Sequence, residues 1–436
     1  MTTLNKSRIA GSLYGMLVGD ALAVPGHWFY SPTKLRKDYG EIDGMVAPKA
    51  THAESMIQGM SYNGSIDILH DKAIYYEGST AVAASTQKQL SKEDIQKRRD
   101  DHGNYVGVTE DERVHYHQSF RHQKGMNTTN ACIARLLMRY LAKTNSGQQD
   151  LYDPDQFLEE FQTYMTTAPD PKDTSQIKSH NDTYLDVYVR YFFTQASQGT
   201  RLRNCAMSQR DQWSIGSLDG VVMSIPIIAA YADEPEAMVL GRVVEHHMLT
   251  HRSVTVTMVA SVLVSLLLGL YKGQALRPAL EVAMSKLRPP KCTGREMRDS
   301  YVDHRGPGNI PKHEKWLQHM TTTDEDFLEL IQSFLANESD DENVGGWGDR
   351  PHSRFSTACY CEQTIAIVLY LAYKYHDNPR KALLQNVMLG GHSTSRGAVL
   401  GAILGAAHGA DQVPFQTDLA AYSYIQQEID NVIATI

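Results

Sequence analysis

The chain has 436 residues, a net charge of −8 and a pI near 6.1, a balance that argues against a general nucleic-acid or anionic-membrane surface. Its 42% hydrophobic and 21% charged residues are those of a soluble globular protein with a large core. The start MTTLNKSRIAG lacks the long apolar core of a signal peptide, and the five cysteines at 132, 205, 292, 359 and 361 show no disulfide-framework spacing, so an intracellular, cytoplasmic and reduced protein is expected.

The first pattern is residues 9–24, IAGSLYGMLVGDALAV, where Gly11, Gly15 and Gly19 recur every fourth position in an apolar helical run and Asp20 follows the last of them. An interior helical glycine costs about 1 kcal/mol against alanine, so such a series needs a reason. A smooth ridge on which a second helix packs closely supplies one. The turn Pro25-Gly26-His27-Trp28-Phe29-Tyr30 comes next and places an imidazole among aromatics just beyond Asp20. Histidine there serves as acid, base or ligand, or simply packs.

Residues 40–125 are short segments with a charged run at 87–104 that reads as a solvated face. In Val114-His115-Tyr116-His117-Gln118 an extended backbone puts His115 and His117 on one side. Nothing nearby supplies further metal ligands, so contact with a substrate or a structural role is expected rather than zinc or copper. Met126-Asn127-Thr128-Thr129 then opens the amphipathic helix ACIARLLMRYLA, with Asn127 or Thr128 as its N-cap.

Helices are predicted over 154–167, 182–198, 214–232 (broken at Pro226), 235–250, 253–271 and 276–287. Asn181-Asp182 reads as the capped start of the second of these. His247 and His251 fall at i, i+4 on one helix face but lack the glutamate of a His-Glu-x-x-His site. Residues 254–271 are long enough to be mistaken for a membrane span, but their Thr and Ser content and the lack of a second span favour a central buried helix. Residues 288–350 are weakly patterned. Asp340, Asp341 and Glu342 lack EF-hand spacing and read as a mobile surface loop, and Trp347 between glycines is placed to lid a pocket. Cys359-Tyr360-Cys361 has the wrong spacing for a redox or zinc site, so buried thiols are expected.

After a helix at 360–375 and the stretch KALLQNVML comes Gly390-Gly391-His392-Ser393-Thr394-Ser395-Arg396-Gly397, leading into an apolar helix with glycines at 397, 401, 405 and 409. This second ridge matches the first. Helices 7–24 and 396–409 are therefore predicted to meet glycine face to glycine face, bringing Asp20 close to the loop at His392 to Ser395.

These residues also carry a resemblance. G-x-L-x-G-x-x-x-G-D-A-L-A-x-P near the first ridge and G-G-x-x-x-x-R-G-A-V-L-G-A-x-L-G-A-A at the second resemble the ADP-ribosylglycohydrolase family, which includes relatives recruited as lens crystallins. The resemblance implies an all-α, single-domain orthogonal helical bundle over residues 1–436, with loop-rich insertions at about 40–125 and 288–350. Active members cleave the glycosidic bond of ADP-ribose with two magnesium ions. At His27 the family usually has a glutamate. At Met126 it has an acidic residue of its Thr-Asp-Asp-Thr motif, so that only Asn127 and Thr128 keep oxygen ligands, and at His392 it has the first aspartate of Gly-Gly-Asp-x-Asp-Thr. Thr250-His251 resembles a recurring family element near the pocket.

Magnesium wants near-octahedral oxygen ligation anchored by carboxylates, which imidazole, thioether and hydroxyl groups replace poorly. The di-magnesium site is therefore expected to be lost, with no metal or other cofactor. Three readings remain. The first is a metal-free enzyme on a ribosyl- or nucleotide-like small molecule. It would use Asp20, His27, His115, His117 or His392 as acid and base, with Trp28, Tyr30, Asn127, Thr128, Ser393, Ser395, Arg396 and Trp347 contacting substrate. The cation of a histidine at a helix N-terminus is disfavoured, which suits His392 to the part of a base. The second is a non-catalytic ADP-ribose binder or crystallin-like structural protein. The third is a lyase, isomerase or cyclase on an unrelated small molecule.

Overall fold

The structure, a computed structural model, describes residues 4–49, 122–144, 152–167, 170, 172–182, 185–206, 216–290, 323–337, 339–345 and 353–436. Among these, regular structure is almost wholly helical. In chain order the helices are α1 (Lys6–Ala23), α2 (Pro32–Tyr39), α3 (Thr129–Thr144), α4 (Pro154–Thr166) and α5 (Val187–Ser197). They continue as α6 (Asp219–Val222), α7 (Ile225–Ala230), α8 (Glu236–His247), α9 (Val254–Tyr271) and α10 (Leu276–Ser285). The last are α11 (Phe327–Phe334), α12 (Cys361–Lys374), α13 (Pro379–Met388), α14 (Ser393–His408) and α15 (Tyr422–Ile433). A parallel two-residue pairing joins Val344–Gly345 to Phe355–Ser356.

Asn5 starts α1 as its N-cap, the side chain accepting from Arg8 N, and from Gly11 onward every residue of α1 is buried. A helix apolar on all sides belongs in the centre of a bundle. Its partner is α14, and the two run antiparallel with Gly11 on Gly405, Gly15 on Gly401 and Gly19 on Gly397. A Cβ added at Gly15 would lie 1.9 Å from the carbonyl oxygen of Gly401, and one added at Gly401 would lie 1.9 Å from that of Gly15. The predicted glycine-to-glycine contact is therefore present at three successive glycine pairs, at a separation of the backbones that no side chain permits.

Helix α9 runs against this pair. Tyr271 donates to Ser12 Oγ at 2.9 Å, and Arg8 Nη1 donates to Leu270 O at 2.7 Å and Gln274 O at 2.9 Å, capping the end of α9 with a cation from α1. Among the described residues, two helices meet the length and hydropathy of a membrane span, residues 6–26 and 254–271, and both are mostly buried inside the bundle. Only the second of these was apparent in the sequence.

Local differences from the sequence reading have identifiable causes. The helix predicted over 214–232 is two short helices; the chain breaks at Met223-Ser224, and Pro226 opens α7, where its missing N–H is harmless. Helix α8 ends at His247, so His247 and His251 do not share a helix face; instead His247 Nδ1 meets the His251 carbonyl at 3.0 Å across the turn. Helix α5 starts at Val187 rather than 182, which frees Asp182 for another task. Asp340 is no member of a mobile loop. It sits in a short 3-10 turn, 3% exposed, and accepts from the Tyr370 hydroxyl at 2.5 Å, Lys374 Nζ at 2.7 Å and the Tyr375 hydroxyl at 2.7 Å. Helix α11 stands within the weakly patterned stretch 288–350. Of the two thiols expected to be buried, Cys361 is and Cys359 is only half-buried; Cys132 and Cys205 are buried as well.

Candidate functional site

The loop ahead of α14 is laced to two other segments. Trp28 N donates to Gly391 O at 2.7 Å, Gly391 N donates to Phe29 O at 2.7 Å, and His392 N donates to Thr357 O at 2.9 Å. Gly390 and Gly391 take φ of 64° and 66°, and a Cβ on them would lie 2.0 Å from Phe29 O and 2.3 Å from Thr357 O. The Gly-Gly pair is thus demanded both by its left-handed backbone and by the two strands of chain that close on it. Trp28 also has a positive φ, 61°, a conformation that a bulky residue holds only when its surroundings fix it.

Arg396 anchors the loop from beneath. It is wholly buried; Nε donates to Asn386 Oδ1 at 2.6 Å and Nη2 donates to the carbonyls of Asn386 at 2.9 Å and Gly390 at 2.7 Å. Burial pushes its guanidinium down to about 9, so it remains a cation at neutral pH. These bonds spend most of its donors on the end of α13. Ser393 is likewise used internally, donating to Ala23 O at 3.0 Å.

The two imidazoles of the motif loops come together. The rings of His27 and His392 lie 5.0 Å apart, and Trp28 covers His27 at 4.0 Å. His27 Nδ1 accepts from Thr394 N at 3.4 Å, and the Thr394 hydroxyl lies 3.2 Å from the same nitrogen, so His27 satisfies an otherwise orphaned amide in the first turn of α14. All three rings are buried. On its other side His392 faces Asp219, with Nε2 3.7 Å from Oδ1. Asp219 Oδ1 also accepts from the Ser395 hydroxyl, and its Oδ2 accepts from the Ser217 hydroxyl at 2.7 Å.

A second half of the site forms around the start of α3. Asp20 Oδ2 accepts from Asn127 Nδ2 at 3.0 Å and Thr128 N at 2.9 Å, while Oδ1 accepts from the Thr128 hydroxyl at 2.6 Å. Asp182 Oδ2 accepts from Thr129 N at 3.0 Å and from its hydroxyl at 3.2 Å. Carboxylates from two other segments thus take the amides at the start of α3, where Thr128 directly precedes the first helical residue. Met126 is buried, and its sulfur accepts from Gln123 N at 3.2 Å. The two halves are joined in steps: Asn130 Oδ1 accepts from the Tyr188 hydroxyl at 2.5 Å, Tyr188 packs on His251 at 4.2 Å, and His251 presses on Gly220 beside Asp219.

Of the residues singled out in the sequence, Asp20, Asn127 and Thr128 form one hydrogen-bonded group, and His27, Trp28, His392 and Ser395 form the other. Tyr30 is half-buried next to them in the chain. His115, His117 and Trp347 lie outside the described residues. Asp219 was missed, although an aspartate at the head of the apolar run Gly220–Ala230 is a signal in itself. Asp182 was read as the cap of its own helix.

Two buried histidines, His246 and His251, are expected to make the fold acid-sensitive. Burial, opposed by the nearby Asp219 and reinforced by His247, pushes His251 down to about 3, and burial with repulsion from His247 does the same to His246, whose Nδ1 lies 2.6 Å from the Tyr152 hydroxyl. Both are neutral when folded and protonated when unfolded between that value and 6.5. The unfolded state then binds more protons, so stability is complete above pH 6.5 and falls with acidification through this window, by about 1.4 kcal/mol per pH unit for each histidine. Urea midpoints measured from pH 7 to pH 4 are expected to show that slope, and His246→Gln is expected to flatten it; the same slope in wild type and variant would contradict this.

A family model described as ADP-ribosylglycohydrolase matches residues 80–434. The fold is similar to that of a solved structure described as an ADP-ribosylglycohydrolase-related protein complex, with a TM-score of 0.52 and 14% identity over 99% of this chain and 98% of that one. No curated protein sequence matches significantly. The matched span begins beyond α1, whose glycine ridge nonetheless lies against α14 as the spacing of the two glycine series predicts. On the matched span and the shared all-α fold together, the chain belongs to the ADP-ribosylglycohydrolase family.

Proposed function

We propose that the protein is a glycohydrolase-like enzyme that acts on a ribosyl- or nucleotide-like small molecule through acid–base histidines and without magnesium. The observation that carries this reading is the state of Asp20. A carboxylate has about four acceptor sites, and three of those on Asp20 are taken by donors from Asn127 and Thr128. Elsewhere in the motif loops the family's acidic positions hold the buried thioether of Met126 and the imidazole of His392. This donor set does not fit a hydrated, oxygen-seeking dication, and no group of three or more His, Cys, Asp or Glu side chains among the described residues is arranged to hold a metal.

Glycosidic cleavage needs one group to protonate the leaving oxygen and one to activate water. His27 and His392, 5.0 Å apart between ring centres, supply two imidazoles on neighbouring motif loops, each held by a backbone or carboxylate partner. Their burial favours a second reading, a protein that binds an ADP-ribose-like ligand without turning it over.

Hydrolysis of ADP-ribosyl substrates with added magnesium and with excess chelator distinguishes these. Activity is expected to be indifferent to chelator, and His392→Ala or His27→Ala is expected to lose on the order of 100-fold or more in kcat/KM, far beyond Ser393→Ala. Full loss of activity in chelator, or micromolar magnesium binding by calorimetry, would overturn the metal-free reading. Binding of ADP-ribose with no turnover would favour the second.

A further inference from the structure

We propose that Asp219 is the positioning residue of His392, a carboxylate that fixes the orientation of this imidazole and holds its proton on Nε2. The proposal rests on the reading that His392 works as an acid or base, but its central observation is geometric. Asp219 is 3% exposed, and its carboxylate is gripped at both oxygens, by the Ser217 hydroxyl at 2.7 Å on one and by Ser395 on the other. The oxygen shared with Ser395 is the one that faces His392 Nε2, at 3.7 Å. At that separation no hydrogen bond is yet made; the two groups act on each other as charge and dipole in a buried setting, and a small rotation of the imidazole would bring Nε2 within hydrogen-bond reach of Oδ1.

The backbone beneath Asp219 is fixed as firmly as its side chain. A Cβ on Gly220 would stand 2.8 Å from His251 Cγ, and Tyr188 packs on the same His251 ring at 4.2 Å between ring centres. The carboxylate therefore has little freedom to follow the imidazole, and the imidazole must align with it. This is the arrangement expected of a group that selects a tautomer and stabilises the imidazolium when it forms. A carboxylate serving only to cap would need neither the second hydroxyl nor the histidine.

The other groups around the pair are identifiable. His27 faces His392 from the turn after α1. Asp219 is felt by His251, Tyr188, Cys359 and Cys361, of which burial keeps His251 neutral and pushes the phenol and both thiols up; Asp186 and Glu362 act on Cys359 from the same neighbourhood. Asp219 is the carboxylate of this group that contacts the imidazole.

The test is the ionisation of His392 itself, followed by NMR with ring-labelled histidine in the full chain, the signal being assigned with His392→Asn. In Asp219→Asn, which keeps the size and one acceptor oxygen but removes the charge, the His392 midpoint is expected to fall by about one pH unit or more, a tenfold change in proton affinity. Asp219→Glu is expected to recover part of it. An unchanged midpoint in folded Asp219→Asn would overturn the proposal. Should that variant fail to fold, the wild-type Asp219 carboxyl carbon is expected to report the same midpoint as the His392 ring, and its silence would overturn the proposal equally. Where turnover is measurable, the pH profile of kcat/KM is expected to move with the NMR midpoint. A shifted midpoint with no hydrolysis would sink the functional reading and leave the pair standing; hydrolysis that depends on His392 with an unshifted midpoint would do the reverse.

Discussion

Gly15→Ala and Gly401→Ala are each expected to destabilise the protein by at least about 1–3 kcal/mol, and the corresponding leucine variants to leave little folded protein. A methyl group at either position would stand 1.9 Å from a carbonyl oxygen of the opposite helix. The obstacle is backbone, so no rotamer change relieves it; α1 and α14 must separate along their length, which would open the three paired contacts at once and disturb the packing of both helices. Gly241 of α8 provides the control, because nothing lies within 4 Å of its would-be Cβ. Gly241→Ala is expected to raise stability by about 0.5–1 kcal/mol through helix propensity alone. Urea midpoints of the three variants check the argument, and Gly15→Ala with a wild-type midpoint would refute the close packing.

The second large effect is expected at Glu428. Arg135 on α3 has no exposed surface, and its Nε and Nη2 donate to the two oxygens of Glu428 on α15 at 2.8 and 3.0 Å, with Arg139 donating to the same carboxylate at 2.8 Å. Truncating Glu428 to alanine strands a buried guanidinium and is expected to cost about 3–5 kcal/mol. Replacing Arg135 and Glu428 together by methionine removes the buried charge along with its partner, and this double variant is expected to be far more stable than Glu428→Ala. A Glu428→Ala protein with an unchanged denaturation midpoint would show that the pair contributes nothing in its folded setting.

The long-range contact of α1 with α14 was legible in the sequence because glycines at fixed helical spacing have a specific cost and few uses. The all-α fold was legible from periodicity and from the resemblance of the motif loops. What the sequence concealed were contacts between segments far apart in the chain and marked by no pattern. Nothing near Asp182 says that it will cap α3, and nothing near Asp219 says that His392 will face it. The Asp340 cluster misled for a related reason: three acidic residues in a row look solvated until Tyr370, Tyr375 and Lys374 arrive from α12 and the turn beyond it to meet the first of them. Helix ends at Met223, His247 and Val187 departed from expectation because turns between helices are decided by tertiary packing as much as by propensity.

The pairing of Gly15 with Gly401 has a consequence for synthesis. The groove that accepts α1 is on a segment made at the opposite end of translation, so at about 5–20 residues per second α1 waits roughly 20 to 80 s for its partner. During that interval an apolar helix with an open glycine furrow lacks the one partner that its glycine face fits, the condition under which chaperones bind and aggregation starts. Closure of the bundle is a late, non-local event, and the high contact order it imposes sets a slow limit on folding. A chain interrupted before residue 397 would hold every other helix through α13 and still lack the surface on which its first helix rests.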